Sequence, residues 1–208
     1  MSQLATHYET VREQNGYERP RADSVPPWLR PLRRRFIAVD RMAVLDAALD
    51  RPTLATMGVG MTGPPHLGTV GQLLTAIELQ EAGLDVQFVL ADLEPYHGGA
   101  DADRVERLAE RYREFALDLG FDPDQGILRT QSEATDVMAT GHRIARYHRP
   151  EEWTEPGATP TEWAAAVGER YERAATEETN GWEEDAPTAD AADAHSAVLH
   201  GADFLHPL

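Results

Sequence analysis

The sequence predicts an α/β protein, three layers deep, built on a short parallel sheet. Two observations predict it. From Phe36 onward, short runs rich in β-branched and large apolar residues alternate with longer stretches whose apolar residues recur at helical spacing, the pattern of βαβ units. Two of those helical stretches run into glycine, at Gly83 and Gly120, the residue type that ends a helix in a left-handed turn.

Taken in order, residues 1–35 read as a polar arm, broken by Pro20, Pro26, Pro27 and Pro31 and closed by Arg30, Arg33, Arg34 and Arg35. That arginine cluster suits a phosphate or RNA contact as well as a solvated linker. Residues 36–208 form the predicted domain. Its strands are expected at Thr53–Val59, Asp85–Asp92 and Gly126–Thr130. Between the first two, Val70, Leu73, Leu74 and Ile77 mark one face of a helix from Leu67 to Gly83. Between the second and third, Val105, Leu108, Tyr112, Phe115 and Leu119 mark another from Asp101 to Leu119. A further helix is expected from Glu133 to just before Pro150. Another spans Thr161–Glu178, with Thr161 as its cap and a stripe of Trp163, Val167, Tyr171 and Ala174. An acidic loop, Asn180–Pro187, and a short histidine-bearing helix within Ala191–Leu208 complete the pattern; residues 151–190 as a whole are acidic and read as variable.

Composition narrows the setting. Among 208 residues, 36 carboxylates oppose 19 basic side chains, all of them arginine, for a formal charge of −17. Such a surface repels itself unless salt screens it, so adaptation to high salt is the favoured reading; a partner with a basic face, or disorder towards the carboxyl end, would also accommodate it. The absence of cysteine excludes disulfides, thiolate nucleophiles and thiolate metal ligands. No apolar run reaches signal-peptide or membrane-span length, so a soluble, cytoplasmic protein with no membrane partner is expected. Glu151-Glu152 and Glu183-Glu184 read as solvated charge.

The stretch from Gly58 to Thr69 carries the chemistry. It joins the end of the first strand to the start of a helix, and contains Gly58, Gly60, Thr62, Gly63, His66 and Gly68. Glycine allows close approach of the backbone to a phosphate or an adenine ring, and a helix amino terminus supplies free N–H groups with the positive end of the dipole. The same glycines and prolines also suit a tight turn with a purely geometric role, and their spacing matches neither the dinucleotide nor the P-loop pattern.

His66-Leu67-Gly68 resembles the His-Ile-Gly-His signature of class I aminoacyl-tRNA synthetases, with Thr62-Gly63 in place of the preceding Pro-Ser-Gly turn. Two further segments match in order. Val89-Leu90-Ala91-Asp92-Leu93-Glu94-Pro95-Tyr96 is similar to the run that ends the second strand in archaeal-type tryptophanyl and tyrosyl enzymes, and Leu199-His200-Gly201-Ala202-Asp203-Phe204-Leu205-His206-Pro207 resembles the helix that closes over the amino-acid side chain. The Phe36–Asp40 lead-in leans towards the tryptophanyl branch. The resemblance spans roughly Phe36 to Leu208 and implies a Rossmann-like domain, incomplete relative to the full synthetase catalytic domain.

What the resemblance implies is adenylate formation from ATP, with Mg2+, and an amino acid, tryptophan or tyrosine first. On that footing His66 and Thr69 would be the catalytic positions. Gly58, Gly60, Thr62, Gly63, His66 and Gly68 would form the nucleotide bed, and Thr56, Asp92, His200 and Asp203 would border the amino-acid pocket. A tRNA is a further expected partner. The sequence also departs from the family: Thr69 replaces the second histidine, His200 a glutamine, and Thr56 and Ser196 residues that are aromatic in the tyrosyl branch. The second signature, Lys-Met-Ser-Lys-Ser, has no counterpart in this lysine-free sequence. A second copy, a separate chain supplying the other half, or region 151–190 is expected to cover the edge left bare by the first strand. His195, His200, Asp203 and His206 could ligate a metal, but the resemblance and a polar terminal helix account for them, and no metal site is assigned. Two other readings stay open: a non-catalytic paralogue that binds nucleotide, amino acid or tRNA, and a nucleotidyltransferase of the wider His-x-Gly-His superfamily.

Overall fold

Three parallel strands form the centre of the computed structural model, which describes residues 9–10, 12–20, 25–32, 39–61, 63–97, 99–147, 198–199 and 201–203. Strand β1 is Leu54–Gly60, β2 Asp85–Ala91 and β3 Gly126–Thr130, in the order β1-β2-β3. Leu54 pairs with Asp85 and Gly60 with Ala91 at the two ends of the first ladder, and Val86 pairs with Gly126 in the second. Helix α1 is Met42–Asp46, α2 Leu67–Glu81, α3 Leu93–His97, α4 Ala102–Leu119 and α5 Thr135–Ile144. A 3-10 turn, Ala145–Tyr147, extends α5. All three expected strands are present with ends shifted by at most one residue, and the two crossover helices lie where the apolar spacing puts them.

Strand β2 is paired along both edges by its neighbours and covered on both faces by the layers packed against the sheet. Val86, Phe88 and Leu90 point to one face, where they pack with Leu73 and Ala76 of α2 and with Val105, Ala109, Tyr112 and Ala116 of α4. Successive strand residues face opposite ways. Gln87 accordingly points to the other face, where its Nε2 donates to the Asp203 carbonyl at 3.1 Å. Helical residues 201–203 therefore lie across the sheet from α2 and α4, which gives the three layers. Gly141 of α5 packs against Val198, Leu199 and Ala202 on that second face.

Both crossover helices end as their glycines predict. Gly83, at φ 93°, lets Leu84 N donate to Leu79 O at 3.1 Å and Gly83 N to Gln80 O at 2.8 Å. Gly120, at φ 107°, does the same work after α4, with Phe121 N reaching Ala116 O at 3.0 Å.

Three features were not foreseen. The segment expected to be a polar arm lends Val25, Leu29 and Leu32 to the main core through a 3-10 turn at Pro27–Leu29. Three apolar side chains among prolines and charges carry no period, which hides their burial from sequence reasoning. Helices α1 and α3, of five residues each, are likewise too short to show a helical repeat. The helix expected from Glu133 begins at Thr135. The one expected over Thr161–Glu178 and the loop Asn180–Pro187 lie outside the described residues, as does most of Ala191–Leu208. Among the described residues, no helix is long and apolar enough to cross a membrane.

Thr130 and Glu133 hold the turn after β3 together: Glu133 Oε2 accepts from Thr130 N at 2.9 Å, and both carboxylate oxygens accept from Arg113 Nη2 at 2.9 and 3.0 Å. Partial burial acts to raise the Glu133 pKa, but the hydrogen bonds from Thr130 and the bonds and charge of Arg113 outweigh it, and the net direction is down. A carboxyl whose folded pKa is depressed contributes stability above its unfolded pKa and loses it as the pH falls through the folded value. Glu133→Gln should therefore be less stable than the parent at neutral pH, with the gap closing under acid. Urea titrations at a series of pH values measure that gap.

Candidate functional site

The junction between β1 and α2 is built around His66. Its backbone is extended, its Nδ1 accepts from Gly68 N at 3.0 Å, and its own N–H donates to Thr69 Oγ1 at 3.4 Å, so that His66 caps the fifteen-residue helix α2. This is a reciprocal capping arrangement in which histidine takes the position more often held by serine or aspartate. Gly68 is required by it, since a Cβ there would stand 2.8 Å from His66 Cε1. His66 and Gly68 are exposed and Gly63 is half-buried, so the helix start faces solvent. Thr62 lies outside the described residues.

Thr69 does not share that exposure. It is fully buried, and its hydroxyl, expected at a catalytic position, accepts from His66 N and supports the cap from inside. Tyr112 of α4 reinforces the same turn by donating to Gly63 O at 2.9 Å. Burial pushes the Tyr112 phenol up in pKa, against a smaller lowering by a hydrogen bond with Thr69.

Beside this junction, along β1, opens a cavity of about 80 Å³, lined by Thr56, Met57, Gly58, Val59, Gly60, Val89, Ala91, Glu94, Gln131 and Asp203. Strand β1 and β2 contribute its floor, α3 contributes Glu94, and the loop after β3 contributes Gln131. Gly60 matters here because a Cβ on it would meet Glu94 Oε2 at 2.9 Å. Gly58 instead lies against the Val89 carbonyl, where a Cβ would approach to 2.9 Å, so its small size serves strand pairing.

The wall opposite Glu94 is a buried polar network. Arg129 Nη2 donates to Asp203 Oδ1 at 2.7 Å, Gln131 Nε2 to Asp203 Oδ2 at 3.1 Å, and Arg129 Nη1 to Thr130 O at 3.1 Å. Gln87 Oε1 accepts from Arg129 Nε at 3.4 Å. Asp92, by contrast, is turned towards the loop after β3: its Oδ1 accepts from Gln131 N at 2.8 Å and Ser132 N at 3.1 Å, and its Oδ2 from Ser132 Oγ.

Of the residues expected at the site, the structure brings Thr56, Gly58, Gly60 and Asp203 to the cavity wall and His66, Gly63 and Gly68 to the adjacent junction. Asp92 is not on that wall; its oxygens are turned to two backbone amides and the Ser132 hydroxyl of the loop after β3. His200, Ser196, His195 and His206 lie outside the described residues. Sequence reasoning missed Gln131, Arg129 and Gln87, which are separated in sequence from the residues they hold; a polar residue at a position alternating with buried apolar ones, such as Gln87 between Val86 and Phe88, was the available signal.

Residues 49–149, which run from before β1 to just past α5, match the family profile described as tRNA synthetases class I (W and Y). Over that stretch the chain is similar to the W and Y family of class I tRNA synthetases. Over 90 residues the chain is 38% identical to tryptophan–tRNA ligase 1 of Halobacterium salinarum, a stretch covering 43% of the chain and 18% of that protein. Its fold resembles the tryptophanyl-tRNA synthetase of Giardia lamblia, with a TM-score of 0.65 at 18% identity, over 93% of this chain and 47% of the other. It also resembles the tryptophanyl-tRNA synthetase of Encephalitozoon cuniculi bound to tryptophan, with a TM-score of 0.59 at 18% identity, over 94% of this chain and 51% of the other. The chain thus spans less than a fifth of that curated relative and about half of each solved structure.

Proposed function

We propose that this chain binds ATP at the β1–α2 junction and an aromatic amino acid, tryptophan first, in the cavity beside it, for aminoacyl-adenylate formation. The observation that carries the reading is the adjacency of the two features. An exposed helix start capped by His66 offers N–H groups and positive dipole to phosphate, and a cavity bordered by the Glu94 carboxylate offers a negative charge to an α-ammonium group. An α-carboxylate oxygen of the amino acid would attack the α-phosphorus of ATP as the bond to pyrophosphate breaks. The protein's part is to hold both reactants in line and to stabilise charge on the phosphates, with His66 nearest to them. The Encephalitozoon cuniculi relative with its bound tryptophan supports the choice of amino acid. Mg2+ would come with the nucleotide, and no step is assigned to it.

One observation favours a second reading. With Thr69 enclosed under the cap, the helix start presents His66 without a second polar side chain from the signature, which suits a paralogue that binds ATP and amino acid without joining them. A second copy or a separate chain laid along β1, an edge strand among the described residues, would complete the site in either case. Contact with tRNA would run through the Arg30–Arg35 cluster, of which Arg33, Arg34 and Arg35 lie outside the described residues.

ATP–pyrophosphate exchange in high potassium chloride, with tryptophan, tyrosine and then other amino acids, tests the reading. Tryptophan-dependent exchange that falls by about 10²-fold or more in His66→Ala is the expected result. A melting curve accompanies the variant, since losing a cap costs about 1 kcal/mol by itself. ATP binding by calorimetry without exchange would favour the binding paralogue. No ATP binding would overturn the proposal.

A further inference from the structure

We infer that Arg129, which lies behind the cavity wall and not on it, is a positioning residue for amino-acid binding: it acts through Asp203, holding residues 201–203 in place beside the cavity. The inference rests on the functional reading above and deepens it.

Alternation along β3 sends Leu128 to the main core and Arg129 to the opposite face, where its strand partner is Val89, itself a cavity residue. There the guanidinium donates from all three nitrogens, Nη2 to Asp203 Oδ1, Nη1 to Thr130 O and Nε to Gln87 Oε1. Two glutamines complete the hold, with Gln87 Nε2 donating to the Asp203 carbonyl and Gln131 Nε2 to Asp203 Oδ2. Asp203 is thus fixed at its backbone and at both carboxylate oxygens by side chains of β2, β3 and the loop after β3.

Two comparisons decide which of these contacts governs. The apolar cluster around Ala202 holds only Ala134, Val137 and part of Ile144 among the described residues, small beside the main core that α2 and α4 share. Burial stabilises in proportion to apolar area, so apolar packing grips residues 201–203 weakly. Among the polar contacts, the Arg129–Asp203 bond is charge-assisted, 2.7 Å long and formed between side chains each 5% exposed, whereas the glutamine amides are neutral donors at 3.1 Å. A carboxylate at that depth stays in place while an opposite charge balances it. Without Arg129, Asp203 is drawn towards water or takes up a proton, and either change alters the wall it forms. The β1–α2 junction is held by His66, Thr69 and Tyr112 and shares none of these bonds, so the loss falls on the amino acid and spares ATP.

Calorimetry on the full chain in high potassium chloride, with L-tryptophan and with ATP separately, tests this in Arg129→Met and Arg129→Lys. The lysine variant keeps the positive charge without the planar three-nitrogen fork, and it serves where Arg129→Met does not fold; a melting curve accompanies each protein. Tryptophan affinity should fall about tenfold or more in both folded variants, with ATP affinity within about twofold of the parent. In pyrophosphate exchange the same loss should appear in the KM for tryptophan and not in that for ATP. Parent-like tryptophan affinity in folded Arg129→Lys would overturn the inference, as would an equal fall in both affinities, which would mark Arg129 as a general structural residue. A folded parent protein that does not bind tryptophan, with or without ATP, would instead remove the proposed amino-acid site, and this inference with it.

Discussion

Arg129→Met should lower the free energy of unfolding by about 3–5 kcal/mol, because it strands the Asp203 carboxylate in a buried site with its charge unmatched. Arg129 also closes hydrogen bonds to Thr130 O and Gln87 Oε1, and both acceptors lose their donor together. Asp203→Asn retains the shape of the carboxyl but not its charge, so Arg129→Met made in that background should cost less than in the parent. The difference, a coupling of about 1–3 kcal/mol, isolates the pair from the packing of the long arginine stem. Urea unfolding of the four proteins completes the cycle. Equal cost in the two backgrounds would mean that the stem, and not the charge, holds residues 201–203 against the sheet.

The second large effect is expected at Asp92. Asp92→Ala should cost about 2–4 kcal/mol, because charge-assisted hydrogen bonds contribute roughly 1.5–3 kcal/mol each and one of the amide groups keeps a substitute. Gln131 N also reaches Leu90 O at 3.3 Å, whereas Ser132 loses the carboxylate at both its N–H and its hydroxyl. Asp92→Asn, which keeps one acceptor oxygen, should fall between the parent and the alanine variant. Because the loop positions the Gln131 side chain, Asp92→Ala should weaken amino-acid binding along with stability, while variants at the exposed Leu117 leave both unchanged. Thermal melts and calorimetry on the same preparations compare the two losses. Full retention of affinity in Asp92→Ala would show that the loop is held by its other contacts.

The elements that sequence reading found are those whose information is local and repeated. Helix α4 carries its apolar residues at a steady period over five turns, and β2 is a largely apolar run between the Gly83 turn and Asp92; both could be placed without any tertiary knowledge. The same holds for the strand-to-helix junction, where Gly68 and His66 lie two residues apart and their mutual fit is a matter of one turn of backbone. Val25, Leu29 and Leu32 went the other way. Their burial depends on a surface that the rest of the chain provides, and nothing in the surrounding prolines and arginines announces it.

Asp92 and Thr69 show how far a matched position determines a role. Their identities were legible and their side chains polar, but the direction of each side chain depends on what packs beside it. Asp92 finds two backbone amides of the loop after β3, 39 and 40 positions away, and turns to them. Thr69 is enclosed beneath the junction with Tyr112 of α4 and stays inside.

By itself, then, the sequence determined the α/β class, the three strands and their crossover helices, the strongly acidic and lysine-free surface, and the His66 junction, because period, composition and short-range spacing are written along the chain. Only the tertiary structure decided that Asp203 belongs to Arg129, 74 positions away, and that Gln131 is left with a buried acceptor that has no partner among the described residues. Partners so distant in sequence are chosen by the geometry of the folded sheet. Once buried, a polar atom with a partner and one without differ in free energy by more than any local propensity records.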